Sequence, residues 1–244
     1  MSGLNFYKSR GRHLVRTSNP VSRQRVATEA AFARTRENAA EFATASRAAK
    51  LLRRALCKQL IHTRDARVAN RLAALLLAIT KTDPVSDRGQ RHPANGNLHL
   101  LQHFCFNQNA PLAQRFIPPV IPHINRETGI FQVALPAFIP GQHIEYPPGA
   151  THYQLFCAAV ELDFIAHKSV TAATETPFLE LNHEPVQPQT LTCTLTPNSR
   201  LPLLLVMGIV FTQMVNGVEY PFSNKSYNTM QVVGVSDGKA GHNK

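Results

Sequence analysis

Residues 202–222 read PLLLVMGIVFTQMVNGVEYPF. Two apolar runs flank Asn216-Gly217, a pair that suits the positive φ angles of a tight two-residue turn, so the stretch reads as a β-hairpin. Working outward, short apolar segments lie between Pro, Gly and Asn clusters at 98–106, 129–135, 151–166, 188–195, 202–215, 217–222 and 228–235. Seven strands without an intervening helix predict an immunoglobulin- or fibronectin-III-like β-sandwich over 98–236. The Pro-rich stretches 107–127 and 136–150 read as long surface loops, natural contact points for neighbouring subunits. Residues 237–244 read as a flexible tail.

Upstream the pattern changes. From 27 to 82 Ala, Leu, Arg and Glu dominate, with neither Pro nor Gly. Phe42, Ala45, Ala49, Leu52, Leu56 and Leu60 recur at steps of three and four, the spacing of one helix face. Thr63 reads as a cap, and Arg64–Asp65 opens a second helix with Val68, Leu72, Leu75, Leu76 and Ile79 as its stripe. This predicts an antiparallel helical hairpin, 36–61 and 64–81, with a short helix near 27–34 before it. The unit closes with a loop at 83–97, so 27–97 is a helical hairpin and loop. Asp83 and Asp87 read there as turn caps. Residues 1–26 form an arm in which Phe6–Arg16 predicts a small hairpin turning at Ser9-Arg10-Gly11. Such a hairpin is marginal alone and needs something to dock against. The expected class is α+β.

Charge follows the same division. The chain carries 26 Lys+Arg against 15 Asp+Glu. Residues 1–92 hold 19 against 6, and residues 93–244 hold 7 against 9. The excess is therefore +13 on the arm and helices and −2 on the body. Arg47, Lys50, Arg54 and Lys58 share one face of the first helix, opposite its apolar stripe. Arg64, Arg67 and Arg71 line up on the second, and the arm adds Lys8, Arg10, Arg12, Arg16, Arg23 and Arg25. Many cations at such spacing suit a polyanion, because Arg forks onto phosphate. A solvated helix face is the plainer reading, and an acidic surface on another subunit is the rival partner. Without Trp, an aromatic-bearing strand, zinc-finger spacing or a reading helix, contact with RNA or DNA would be to backbone phosphates and blind to sequence.

Other chemistry finds little support. His99, His103 and Cys105 share a face of a strand, but the two imidazoles would stand about 13 Å apart, too far for one ion. GxSxG, GxxxxGK[ST] and GxGxxG are absent, and Glu161 and Asp163 read as solvent-facing. No catalytic role and no cofactor are expected. Cys57, Cys105, Cys157 and Cys193 are scattered without a CxxC pair, which fits a reducing compartment. Met1–Arg16 lacks the apolar core of a secretory signal. The longest apolar run, Leu203–Phe211, is broken only by Gly208 and falls far short of the ~20 residues of a membrane helix. A cytoplasmic protein, or one in a particle released by lysis, is the expectation.

NFYKSRGRHLVR (Asn5–Arg16) and FARTRENAAEFATASRAAKLLRRAL (Phe32–Leu56), with TPNSRLPL (Thr196–Leu203) and VNGVEYP (Val215–Pro221), resemble a family of uncharacterised bacterial proteins of similar length. Its marks are an FYK…LVR arm and an RTREN…EF helix before a C-terminal β-domain. The Gly-rich lead-in usual before FYK is reduced here to Gly3. The resemblance implies an architecture and no chemistry. The function expected is that of a self-associating structural subunit of a filament, tube or phage-like particle. The alternative is a non-polymerising module whose sandwich recognises a protein or glycan.

Overall fold

The computed structural model describes residues 3–9, 11–18, 21–63, 65–222 and 225–238. The chain opens with a β-hairpin, β1 (Gly3–Ser9) and β2 (Arg12–Ser18), in register from Gly3↔Ser18 to Ser9↔Arg12. Gly11 takes φ +79° at its turn, a conformation glycine adopts without steric cost. Arg10 lies outside the described residues.

Helices follow: α1 (Arg23–Thr28), α2 (Ala33–Ala55), the short α3 (Cys57–Leu60) and α4 (Val68–Lys81). The helical hairpin is present, but its second helix starts at Val68 and not at 64. Phe42, expected in the core, is 55% exposed. The face that packs is Ala45, Ala48, Ala49, Leu52 and Leu56, against Leu72, Leu76 and Ile79. Small side chains on α2 let its backbone approach α4 closely. The loop 83–97 is fastened to both helices. Buried Glu41 pairs with Arg91 at 2.7 Å and accepts the Gly89 N–H at 2.9 Å. Asp83 caps its turn as expected, accepting the N–H groups of Val85, Ser86 and His92 at 2.8, 3.2 and 2.9 Å. Burial opposes its ionisation, yet those donors hold its pKa down at about 2.

The remainder is β-rich. Short helices α5 (Leu112–Arg115) and α6 (Pro140–His143) sit among strands β3 (Ile121–Asn125), β4 (Ile130–Leu135), β5 (His152–Asp163), β6 (Lys168–Glu175), β7 (Leu179–Glu180), β8 (Gln189–Thr194), β9 (Leu203–Val215), β10 (Val218–Pro221) and β11 (Thr229–Ser236). All pairing is antiparallel. One sheet runs β3-β4-β8. In the other, β9 pairs with β5 on one side and with β10 and β11 on the other, and β6 and β7 lie beyond β5. Asn216 and Gly217, at φ 52° and 77°, make the predicted β9–β10 turn.

The larger sheet is buried on both faces. Phe156, Ala158, Val160, Leu204, Val206 and Val210 pack on the helices. Tyr153, Leu155, Cys157, Ala159, Leu205, Met207 and Ile209 alternate with them and pack on Phe131, Val133, Leu191 and Cys193 of the smaller sheet. The arrangement is helices, sheet, sheet: three layers, where a sandwich has two. This explains the unbroken apolar run of β9, since a strand buried on both sides has no polar face to show. A single core cluster crosses residue 97, so the helices that carry the charge share their interior with the strands.

Four local expectations differ. Segment 98–106 is not a strand: Leu98–Leu101 forms a 3-10 turn, His103 has φ 65°, and only Cys105 bridges to Gln231. Leu98, Leu101 and Phe106 plug the helix–sheet core from this irregular stretch. The Pro-rich stretch 107–127 contains strand β3, and the stretch after 166 contains β6. Glu161 faces inward, 8% exposed.

Candidate anionic-partner interface

The thirteen cations singled out in the sequence are not one surface. Lys8 and Arg12 are exposed on the hairpin, and the side chain of Arg16, like Arg10 and Arg64, lies outside the described residues. Around them the hairpin also exposes Leu4 (59%), Phe6 (77%), Tyr7, Leu14 and Val15 (54%). The register pairs Phe6 with Val15 and Tyr7 with Leu14, so each face of the ribbon carries an apolar pair.

Arg23 is exposed at the start of α1. Arg25 is bound through one guanidinium edge, Nε and Nη2, to the two carboxylate oxygens of Glu29, at 2.5 and 3.1 Å. Arg67 is exposed at the N-cap of α4, one turn before Arg71, whose N–H its carbonyl accepts at 2.9 Å. Arg71 is a fastening: Nη2 lies 2.6 Å from Asp65 and 2.7 Å from the Cys105 carbonyl, and the guanidinium sits 5.0 Å from the Phe104 ring centre. Burial disfavours the Asp65 carboxylate, but the N–H groups of Arg67 and Gln108, with Arg71, hold its pKa below the usual range. The row expected on the second helix therefore does not form.

The stripe on the first helix survives in part and divides. Arg47, Lys50 and Arg54 are exposed along α2 and, with Leu51 and His167, line a shallow recess of about 180 Å³. Lys58 sits past the break at Leu56, in a recess of about 260 Å³ shared with His62 and Glu175. Lys50, Arg54 and Lys58 enter no ion pair among the described residues. His167 was missed in the sequence because 151–166 read as one strand. The β5–β6 turn that carries it is announced only by Asp163, whose Oδ1 accepts the Ile165 and Ala166 N–H groups at 3.0 and 2.8 Å.

A groove of about 390 Å³ has a different character. Leu112, Phe116, Ile117, Val120, Pro122 and Val233 line it, without any acid, Lys or Arg. Ile117 at its margin is 63% exposed. Among the described residues no three His, Cys, Asp or Glu side chains are grouped to hold a metal ion. His99 faces Asp237 at 4.0 Å, and the Cys105 thiol donates to the Asn107 carbonyl at 2.8 Å. No described helix is long and apolar enough to cross a membrane. No family model, curated protein or solved structure matches the chain.

Proposed function

We propose that this chain is a non-catalytic structural subunit that associates with copies of itself in a filament, tube or phage-like particle. Its basic N-terminal region contacts neighbouring subunits or, through phosphates, RNA or DNA. Its place is the cytoplasm or a particle released by lysis. The two facing antiparallel sheets support a body on an immunoglobulin- or fibronectin-III-like plan, with the helices as an added layer.

The observation that carries this reading is the hairpin Gly3–Ser18, which pairs with itself while exposing Leu4, Phe6, Tyr7, Leu14 and Val15. A two-stranded ribbon is marginal in water, and this one leaves Leu4, Phe6 and Val15 more than half exposed. A neighbour supplies the missing burial. The apolar groove is a separate patch, and two unlike patches on one chain are what head-to-tail association requires. The test is light scattering behind size-exclusion chromatography, with electron microscopy, on the full chain and on a chain lacking residues 1–20. Oligomers or filaments that vanish with the deletion are expected. A clean monomer at high concentration would overturn the reading. It would favour the second one, a non-polymerising binding module, for which the groove is the natural site on the body. Its apolar lining suits a protein ligand over a glycan.

A further inference from the structure

We infer that the recess formed by Arg47, Lys50, Arg54 and His167 is a phosphate site, filled by the backbone of a nucleic acid. The inference rests on the anionic-partner part of the reading above and adds to it a place and a histidine.

Two elements build the recess. Helix α2 supplies Arg47, Lys50 and Arg54 at steps of three and four, covering about 10 Å of helix axis. Leu51, 7% exposed, belongs to the buried core beneath them. The opposite side is His167, held at φ 54° in the left-handed region. That conformation is uncommon outside glycine, though histidine is among the residues that tolerate it. The turn is stabilised by the Asp163 carboxylate, which spends one oxygen on two backbone N–H groups. Beyond the turn, within β6, Thr171 Oγ1 donates to the Ala55 carbonyl at 3.0 Å, fastening β6 to the end of α2. The sides are thus pinned to each other before any ligand arrives.

The charge of the recess is uncompensated. No acidic side chain lines it. Arg47 gives one N–H to Thr44 at 3.0 Å and keeps its remaining donors. Other helical and loop arginines (Arg25, Arg34, Arg71, Arg88 and Arg91) are paired with carboxylates. Nearby, burial first and then the neighbouring His167 imidazole lower the pKa of His92, Arg47 adding to this and Asp83 opposing it. Two guanidinium groups, an ammonium and an imidazole offer many donors from two sides. That suits a tetrahedral oxyanion, and guanidinium edges can take it with two hydrogen bonds. An open recess on a convex helix admits a chain that passes through, and no aromatic side chain lines it for a base to stack on.

The experiment uses the full chain and a labelled, mixed-sequence single-stranded RNA, followed by fluorescence anisotropy at low and at physiological salt. Lys50→Glu/Arg54→Glu is expected to weaken binding at low salt at least tenfold and to flatten the salt dependence by one or more contacts' worth. His167→Ala is expected to weaken it severalfold. Circular dichroism of each variant separates binding from folding, and the milder Arg54→Gln repeats the test with little change in net charge. Lys8→Glu/Arg12→Glu reports on the arm. Binding that survives the recess variants but not the arm variant overturns this inference and leaves the anionic-partner reading standing. Absence of RNA binding at low salt overturns this inference together with the nucleic-acid branch of that reading, and leaves contact with neighbouring subunits. Inorganic phosphate titrated calorimetrically separates the sources: saturable binding of free phosphate without RNA binding would assign the recess to a small anion and overturn the backbone assignment.

Discussion

Strand β9 and the hairpin β1–β2 are both rich in apolar residues, and the structure treats them oppositely. Leu203 to Phe211 are buried on both faces of the central sheet, between helices and a second sheet. Leu4, Phe6 and Val15 are more than half exposed. The difference lies in what surrounds each strand. β9 is paired on both sides and covered on both faces. The hairpin supplies its own pairing and little else. Apolar composition marks a surface that will be covered, and the fold decides whether the cover comes from the same chain.

The sharpest way to break the comparison is to damage the covered strand. Leu205 is fully buried in β9. Leu205→Ala is expected to cost about 4 kcal/mol of unfolding free energy, from lost burial and the cavity left behind. Gly208→Ala tests the same strand by overpacking. A methyl there would overlap the Phe156 ring and the Thr229 carbonyl, so a loss of about 3 kcal/mol is expected. Denaturant titrations check both. A change below about 1 kcal/mol in either would mean that β9 is not held between two layers.

These residues also show what the sequence could reveal. The turn at Asn216-Gly217, six of the seven proposed body strands and the helical hairpin were legible, because each rests on local periodicity or turn chemistry. The three-layer arrangement leaves one sign in the sequence, the apolar run of β9 without strand alternation, which a doubly covered strand and a buried helix segment share. Residues 202–215 read as a strand, but a strand alone does not say what lies on its second face, so the layer of helices is not predicted. β3 and β6 were hidden for a physical reason. Both are edge strands, and β6 turns mostly polar, exposed residues outward, leaving no apolar period. The site suffered more. Whether an arginine binds a partner or fastens the fold depends on acids distant in sequence, as Arg91 with Glu41 shows. The recess needed His167, which comes 113 residues after Arg54.

Acid sharpens the contrast at intermediate energy, because it loosens polar fastenings without touching apolar layers. The pKa of Asp83 falls from 3.8 in the open chain to about 2 in the fold. A carboxyl with a lowered folded pKa adds stability that is complete above its unfolded pKa. That stability is lost as pH falls through the folded one. About 2 kcal/mol should therefore disappear between about pH 5 and pH 2. Asp83→Asn should flatten that part of the pH–stability curve. An unchanged slope would show that the three N–H donors do not hold the carboxylate.

The smallest thermodynamic effect belongs to the hairpin, and it decides most about function. Phe6 and Val15 face each other across the ribbon, exposed by 77% and 54%. Neither belongs to the two buried clusters. Replacing both with Ser should change the unfolding free energy of the monomer by less than about 0.5 kcal/mol, the usual range for surface substitutions. The same variant should shift the association equilibrium strongly, because burial withheld in the monomer is gained only at the contact. A large loss of monomer stability would mean that the ribbon is covered by its own chain, and the contrast with β9 would collapse. An unchanged monomer with lost association would locate the chain's unspent apolar surface in its first eighteen residues. Scanning calorimetry on dilute protein and light scattering on concentrated protein give the two readings separately. They differ in direction under the two accounts, so even a half-kilocalorie effect on the monomer leaves the outcome clear.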